Sequence, residues 1–328
     1  SDMWPMFGPA DLSKATLSDD KTTLTAPVHP GMLPRIKSRL DQTLPIGNEG
    51  AGVVVAAGDS EKAQALLGKT VAVLTGACYT QYCCVPIQAC IVHHDDTTPL
   101  AAASSFVNPL TALGMVETMR MEGHKALVHT AAASSLGIML NKICLKEGVQ
   151  LVNIVRKQEQ VDLLTKLGAK YVVNSTSETF KKDLYKAIDA TGATLAFDAI
   201  GGGELASDIL SAMEAVGSKD ATGFNTYGSL DNKQVYIYGG LDFSPTTLNR
   251  AFGMTWSVGG WLLMRFLGKL DASKVAELHQ RVADEINTTF AIESSVELTF
   301  EEALTPQTVV KYFAKSTGGK YILNPNMG

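Results

Sequence analysis

The sequence lacks the features of a membrane protein and of a nucleic-acid-binding protein. The apolar run that comes closest to a membrane span, at residues 258–267, is too short and is interrupted by Arg265. Positive charge is scarce, because 28 Lys and Arg residues stand against 33 Asp and Glu residues without forming a basic stripe. With a net charge of −5, we expect neither a membrane nor a nucleic acid as the main partner.

Cysteine is also sparse, and its spacing differs from that of structural zinc sites. The sequence has 5 cysteines, at positions 78, 83, 84, 90 and 144, and no C-x2-C pair. Their odd number, together with a start that does not read as a signal peptide, predicts reduced thiols and a cytoplasmic protein. We interpret the cysteines as small apolar side chains on strands, where adjacent Cys83 and Cys84 would point to opposite faces, and we expect no bound metal.

The most informative feature that is present is a strand–turn–helix–strand unit at residues 126–157. An apolar strand at 126–129 leads into a turn of small residues, AAASSLG, at 131–137. Helical apolar spacing then ends at Gly148, and a second strand follows at 151–155. This order is typical of the first βαβ unit of a dinucleotide-binding fold, in which pyrophosphate lies at the helix N-terminus.

The glycine fingerprint of that unit is incomplete. The frame G-x-G-x-x-G falls on Ala132, Ser134 and Gly137, so only the third glycine is present. The fingerprint serves close approach of the backbone to phosphate and of the helix to the strand, and Ala and Ser partly meet that need. An ordinary buried turn without a ligand stays open as the alternative.

The end of the second strand indicates which dinucleotide is bound. An acidic residue there accepts from the ribose of NAD, whereas an arginine accommodates the 2′-phosphate of NADP. This chain has Arg156, followed by Lys157. A guanidinium suits a phosphate well, so we predict NADPH as the cofactor. The alternative is a solvated basic pair on a surface turn.

The predicted secondary structure changes along the chain. Short β-rich runs with glycine punctuation fill residues 46–92, including 79–85, and predict an antiparallel β domain. From Pro109 helices and strands alternate, which predicts a parallel sheet in an α/β fold. We therefore expect one domain at 1–107, a doubly wound nucleotide-binding domain at 108–260, and a return to the first domain at 261–328.

Four stretches resemble motifs of the medium-chain dehydrogenase/reductase superfamily, close to its zinc-free quinone oxidoreductases and enoyl-thioester reductases. In chain order they are GNEGAGVV at 47–54, NPLTA at 108–112, AAASSLG at 131–137 and NIVR at 153–156. The resemblance implies a Rossmann domain and a GroES-like catalytic domain. We expect the first strands of the catalytic domain to be missing from this sequence, which starts at Ser1. The resemblance also implies a homodimer.

The resemblance further implies roles for individual residues. It implies that the pyrophosphate is bound by Ser134, Ser135, Leu136 and Gly137, and that the 2′-phosphate is bound by Arg156 and Lys157. The residues expected to lie near the nicotinamide are Asn108, Thr111, Tyr238, Gly239 and Gly240. Trp4 matches a position that lines the substrate pocket, and Asn48 could donate a hydrogen bond to a substrate oxygen. For Asn48, a purely structural turn amide is an equal alternative.

Zinc-dependent members of the superfamily have a histidine where this chain has Asn48 and a cysteine near Val107. Neither asparagine nor valine is a usual zinc ligand, so we predict a zinc-independent enzyme. The predicted function is an NADPH-dependent oxidoreductase that transfers hydride to a quinone or an α,β-unsaturated carbonyl compound, a small electrophile. Two alternatives stay open: an enoyl-thioester reductase, although Ala10 stands where that branch has a tyrosine proton donor, and a non-catalytic, crystallin-like NADPH-binding protein.

Overall fold

A computed structural model describes residues 6–223, 225–292, 294–313 and 320–327 of the chain. The chain forms two compact units. Unit 1 comprises Ser1–Val107 and His279–Gly328, and unit 2 comprises Asn108–Leu278.

The strands are short, and most of them lie in unit 2. In chain order they are β1 (Thr16–Leu17), β2 (Leu24–Thr25), β3 (Glu49–Val53), β4 (Thr70–Leu74), β5 (Cys90–Val92), β6 (Ala126–His129), β7 (Gln150–Val155), β8 (Tyr171–Asn174), β9 (Leu195–Asp198), β10 (Gly201–Gly203), β11 (Lys233–Ile237), β12 (Asp242–Thr246), β13 (Trp256–Gly260), β14 (Ser295–Leu298) and β15 (Lys320–Leu323).

The longer helices alternate with the strands of unit 2. The α-helices are α1 (Glu61–Gln64), α2 (Pro99–Ala102), α3 (Val107–Met121), α4 (Ser135–Glu147), α5 (Gln158–Lys166), α6 (Phe180–Thr191), α7 (Leu205–Gly217), α8 (Leu263–Leu267), α9 (Ala272–Glu285), α10 (Phe300–Leu304) and α11 (Pro306–Phe313). Three 3-10 helices lie at Leu12–Lys14, Pro30–Arg39 and Ile87–Ala89. Within the described ranges, no helix has both the length and the apolar character needed to cross a bilayer.

Unit 2 is built on a six-stranded parallel sheet with the order β13-β11-β9-β6-β7-β8. The four residues of β6 are all buried, as are those of β9, which is typical of a parallel sheet covered on both faces. The strand order reverses between β6 and β9, so a crevice for ligands is expected at the carboxyl ends of these strands. The sheet confirms the predicted α/β class.

The predicted return to the first domain at residue 261 differs from the observed division, because residues 261–278 stay with unit 2. Trp261 explains the difference. Its ring stacks on Phe266 at 5.7 Å between ring centroids and meets the edge of Phe197 at 5.8 Å. Its Nε1 donates to the Thr118 hydroxyl at 3.1 Å. These contacts tie the segment after β13 to α3 and to the parallel sheet.

Unit 1 contains the antiparallel sheet β3-β4-β5 and the strand pairs β1-β2 and β14-β15. The expectation of a β-run at 79–85 is wrong, since no strand forms there. Consequently the strand interpretation of the cysteines holds only for Cys90, on β5: Cys83 and Cys84 are exposed in this loop, Cys78 lies in the loop after β4, and Cys144 lies on α4. The segment pairs with none of the described strands, so its β-forming residues have no sheet to join.

Candidate functional site

The turn after β6 folds tightly against the end of β7. Ala131 adopts a left-handed backbone conformation with φ of 50°, and the N–H of Ala132 donates to the carbonyl of Ile154 at 3.1 Å. Ser134 then caps α4, since its hydroxyl accepts from the N–H of Gly137 at 3.2 Å. The turn thereby delivers the N-terminus of a 13-residue helix to the carboxyl end of the sheet.

Gly137 is the position of the fingerprint that tolerates no side chain. A Cβ at Gly137 would lie 2.2 Å from the carbonyl oxygen of Ala132, a backbone contact that cannot be relieved by a rotamer change. The methyl group of Ala132, by contrast, packs in a buried cluster with Val155 and Leu164. The structure therefore accounts for the incomplete fingerprint, because the first small residue belongs to the core and the third must be glycine.

Arg156 and Lys157 follow β7 directly, and both are exposed. The backbone N–H of Arg156 donates to Gln160 at 3.1 Å, and its carbonyl accepts from the hydroxyl of Thr176 at 3.1 Å. These two hydrogen bonds hold the main chain of Arg156 in place and do not involve its guanidinium group. In the described ranges, neither basic side chain forms a salt bridge, which leaves both charges available to an anion.

Asp198 organises the neighbouring strand end, a role the sequence analysis did not assign. Its buried carboxylate accepts from the Thr130 hydroxyl at 2.7 Å and from the N–H groups of Ile200 and Gly201 at 2.9 and 3.0 Å. The Thr130 hydroxyl in turn accepts from the N–H of Ala199 at 2.8 Å. The network joins the ends of β6 and β9. In the sequence, this role is indicated by an acidic residue that ends an otherwise apolar strand shortly before three consecutive glycines.

The predicted residues Tyr238, Gly239 and Gly240 follow β11 and lie beside this network. A Cβ at Gly239 would come within 2.8 Å of the carbonyl oxygen of Ala199, so the two strand ends pack backbone to backbone. Gly240 is exposed. The structure thus brings the turn after β6, the end of β9 and the turn after β11 together at one edge of the sheet.

His129 and Tyr238 form a polar pair on one face of this sheet. His129 pairs in register with Phe197, and Phe197 with Tyr236, so Tyr238 two residues later shares their face. The Nε2 of His129 lies 2.7 Å from the Tyr238 hydroxyl, and the two rings stack at 5.8 Å.

Burial determines the charge state of this pair. It lowers the pKa of His129 to about 3, so the imidazole is neutral at ordinary pH. Burial, followed by the nearby charge of Asp198, raises the pKa of the Tyr238 hydroxyl. Nδ1 of His129 has no hydrogen-bond partner among the described residues. Two neutral groups therefore share one hydrogen bond, and its loss would leave the histidine without any.

Tyr238→Phe is expected to lower the free energy of unfolding by about 1–3 kcal/mol, because the buried Nε2 of His129 loses its partner. Urea denaturation followed by circular dichroism measures the change. Tyr236→Phe is the matched control on the same strand. The Tyr236 hydroxyl donates to exposed Glu122 at 2.8 Å, so its removal should cost less than about 1 kcal/mol. Equal losses in the two variants would contradict a special role for the His129–Tyr238 pair.

The other predicted cofactor residues lie on α3. Thr111 is buried, and Asn108 is half-buried one turn before it. α3 begins where Glu49 of unit 1 accepts hydrogen bonds from the N–H groups of Phe106 and Val107, at 3.0 and 2.7 Å. The contacts of Asn108 and Thr111 with a nicotinamide stay predictions.

The predicted catalytic residues belong to unit 1. Asn48 immediately precedes β3, and its carbonyl accepts from the N–H groups of Thr75 and Gly76 at 3.1 and 3.2 Å. Trp4 lies outside the described residues. Because neither Asn48 nor Val107 offers a usual zinc-ligating side chain, the donors at these positions do not fit catalytic zinc. Likewise, the described residues contain no group of three or more His, Cys, Asp or Glu side chains arranged to hold a metal ion.

Comparison with known proteins shows that this chain is similar to dehydrogenases and reductases. Residues 135–250 match the family model described as zinc-binding dehydrogenase. The mitochondrial enoyl-[acyl-carrier-protein] reductase of Caenorhabditis elegans is 27% identical over 223 residues, which cover 64% of this chain and 62% of that protein. The match therefore spans about three fifths of the curated relative's length.

Solved structures extend the likeness. A Mesorhizobium loti protein, provisionally named an NADPH:quinone reductase, has a TM-score of 0.71 and 27% identity, covering 86% of this chain and 78% of its own. A mycobacterial protein solved with NADPH has a TM-score of 0.66 at 18% identity, covering 97% and 90%, and shares the fold. These findings confirm the predicted resemblance to reductases of the medium-chain superfamily. The homodimer and the cytoplasmic location stay predictions.

Proposed function

We propose that this chain, whose sequence and fold resemble those of the medium-chain dehydrogenase/reductase superfamily, is an NADPH-dependent, zinc-independent reductase of quinones or α,β-unsaturated carbonyl compounds. The observation that carries the cofactor assignment is Arg156, which is exposed at the carboxyl end of β7 and makes no salt bridge in the described ranges. NADPH, when bound, supplies the hydride.

The residues at the sheet edge fit this cofactor. The first-turn N–H groups of a helix have no intrahelical acceptor, so the start of α4 offers donors to a pyrophosphate. Gly137 packs closely against the backbone of Ala132, and Ser134 and Ser135 are exposed at the turn. Ser134 through Gly137 therefore bind the pyrophosphate, and Arg156 with Lys157 binds the 2′-phosphate. Asn108, Thr111 and the turn at 238–240 border the nicotinamide.

The substrate class follows from what polarises the substrate oxygen. Without zinc, a simple alcohol has no Lewis acid to stabilise its alkoxide. A quinone or an enone instead accepts hydride at carbon while conjugation carries negative charge to its oxygen. Asn48 offers one neutral hydrogen-bond donor of the right kind, and water supplies the proton. The substrates are accordingly activated carbonyl compounds.

An enoyl-thioester reductase is the second candidate, favoured by the similarity to the Caenorhabditis elegans enzyme. Ala10 counts against it, because a methyl group replaces the tyrosine that donates the proton in that branch. In this structure Ala10 forms an antiparallel β-bridge with Val28, and its N–H donates to the carbonyl of Phe7 at 3.0 Å. A thioester substrate would therefore need another proton donor.

Arg156→Ala is expected to weaken NADPH binding roughly tenfold to a hundredfold, because a hydrogen bond to a charged group contributes about 1.5–3 kcal/mol. NADH binding should barely change, since NADH has no 2′-phosphate. Fluorescence titration with both cofactors measures the two affinities. Lys166→Ala is the matched control, because it removes an exposed positive charge from the far end of α5. If both cofactors weaken equally, Arg156 has a structural role and the NADPH assignment is wrong.

The reaction is tested by NADPH consumption with quinones, enones, enoyl thioesters and saturated aldehydes, with NADP-linked oxidation of alcohols in parallel. Quinones or enones should react fastest and alcohols should not react. Faster alcohol oxidation would overturn the reductase proposal. Reaction with thioesters alone would establish the second candidate. Tight NADPH binding without turnover of any acceptor would instead support the non-catalytic alternative.

A further inference from the structure

One carboxylate of unit 1 lies at the start of helix α3. Glu49 is the first residue of β3, where the antiparallel ladder pairs it with Leu74 of β4. Its Oε2 atom accepts hydrogen bonds from the N–H groups of Phe106 and Val107 at 3.0 and 2.7 Å. Val107 is the first residue of α3, so a carboxylate held by a sheet fixes the point at which this helix begins.

Glu49 acts as the cap of α3. The N–H groups at the N-terminus of a helix have no intrahelical acceptor and need a partner from elsewhere. Pro109, the third residue of α3, has no N–H group. Glu49 serves two of the donors at this terminus, and its negative charge is also favourable there. Because the acceptor is charged, these hydrogen bonds are stronger than those of a neutral cap.

Lys320, the first residue of β15, holds Glu49 from a second side. The Nζ atom of Lys320 lies 3.6 Å from Oε1 of Glu49, and the Glu49 side chain is only 10% exposed. A carboxylate so far removed from water is unfavourable unless it is paired and hydrogen-bonded. The two oxygens of Glu49 therefore have separate partners, since Oε2 accepts from the start of the helix and Oε1 faces the lysine.

The positions of Asn108 and Thr111 depend on where α3 begins. They are the second and fifth residues of the helix, and residues three apart share a helix face. Asn108 directly follows Val107, whose N–H group donates to Glu49. Fraying or displacement of this first turn would therefore move both side chains, and Asn108 most of all.

We propose that Glu49 is a positioning residue of the reductase, which acts through α3 to hold Asn108 and Thr111 against the nicotinamide half of NADPH. The inference rests on the proposed function, in which these two residues border the nicotinamide. The residues proposed for the pyrophosphate and for the 2′-phosphate lie on other elements, at the start of α4 and after β7. Loss of the Glu49 side chain should therefore affect the nicotinamide half of the cofactor and leave the phosphate half unchanged.

The test compares NADPH with 2′-phospho-ADP-ribose, which keeps the pyrophosphate and the 2′-phosphate but has no nicotinamide. Calorimetry measures both affinities in the wild-type chain and in Glu49→Ala. We expect NADPH to bind roughly tenfold more weakly, because two hydrogen bonds that fix α3 are lost, and the affinity for the analogue to change less than about twofold. With a quinone, kcat should fall roughly tenfold to a hundredfold, since misplacing a reacting group by about 1 Å has an effect of this size.

Two conservative variants separate the cap from the charge. Both N–H groups donate to the same oxygen of Glu49, and the amide oxygen of Glu49→Gln can accept both. This variant should therefore bind NADPH within about threefold of the wild-type affinity. Glu49→Asp keeps the charge but is one methylene shorter, so it should weaken NADPH as Glu49→Ala does. The comparison of these two variants decides the question if Glu49→Ala does not fold.

Glu302→Ala is the matched control, because Glu302 also caps a helix with its carboxylate. It accepts from the N–H group of Thr299 at 2.9 Å in the capping box of α10, a helix that carries no proposed site residue. Its loss should lower the melting temperature without changing either affinity.

Three outcomes would overturn the inference. They are equal weakening of NADPH and the analogue in Glu49→Ala, unchanged NADPH affinity in that variant, and a Glu49→Gln variant as impaired as Glu49→Asp. Failure of the proposed function has a different signature, because it appears in the wild-type chain. A wild-type chain that does not bind NADPH would refute both proposals. One that binds NADPH but reduces no acceptor would refute the reductase alone, and the two affinities would still test the role of Glu49.

Discussion

Gly137→Ala is expected to weaken NADPH binding about a hundredfold, because the added methyl group would collide with the backbone of the turn before α4. The new Cβ would lie 2.2 Å from the carbonyl oxygen and 2.6 Å from the carbonyl carbon of Ala132. Both atoms belong to the backbone, so the turn itself must move. Overpacking of this kind costs about 1–3 kcal/mol or more, and a hundredfold change in affinity corresponds to about 2.7 kcal/mol.

The displacement should affect the cofactor more than the fold, because it separates the turn from the N-terminus of α4. Fluorescence titration with NADPH and thermal denaturation of the unliganded protein measure the two effects. Gly260→Ala is the matched control, since a Cβ at Gly260 meets nothing within 4 Å among the described residues. Unchanged NADPH affinity in Gly137→Ala would mean that the turn does not bind the pyrophosphate.

Lys233→Met is expected to lower the free energy of unfolding by about 3–5 kcal/mol, because it leaves a buried carboxylate without its charged partner. Lys233 is fully buried, and its Nζ lies 2.8 Å from Glu214. The same ammonium group donates to the Ser229 hydroxyl at 2.8 Å and to the carbonyl of Asp231 at 2.9 Å. The network connects the end of α7, the loop that follows it and the start of β11.

Urea denaturation measures the loss, and the double variant Lys233→Met/Glu214→Gln is the matched control. It removes both charges and keeps an acceptor for the N–H of Ser229, which donates to Glu214 at 2.8 Å. The double variant should recover part of the stability that the single variant loses. A double variant less stable than the single one would contradict the stranded-charge explanation.

The same network predicts a pH dependence. Burial by itself raises the pKa of Glu214, but hydrogen bonds from Lys233, Ser218 and Ser229 outweigh it and hold this pKa at about 2. Because the folded pKa is below its ordinary value of 4.5, the stabilisation is complete above pH 4.5 and is lost as the pH falls towards 2. Glu214→Gln should lack this component of the acid response.

Local patterns were sufficient to predict the βαβ unit. The small-residue turn, the helix after it and the basic residue after the second strand are close in sequence, so their geometry follows from short-range rules. The observed helix α4 and strands β6 and β7 lie where those patterns indicate. The function of Arg156 stays a prediction. Local structure determines where this residue lies, but it does not determine which ligand the residue binds.

Long-range contacts were beyond the reach of such patterns. The Thr130–Asp198 hydrogen bond joins residues 68 positions apart, and the His129–Tyr238 pair joins residues 109 apart. Likewise, residues 261–278 stay with unit 2 because Trp261 meets α3 across 143 positions. None of these residue pairs can be predicted until the order of the strands in the sheet is known.

The sequence by itself thus determined the α/β class, the small-residue turn between β6 and α4 and the absence of zinc-ligating residue types at positions 48 and 107, since each depends on residue identity and near neighbours. Tertiary structure alone decided which polar groups are buried together, and that Cys83 and Cys84 lie in an exposed loop rather than on strands. The physical reason is that burial and pairing depend on which strands become neighbours. That choice is made by the packing of the whole sheet and is not encoded in any one segment.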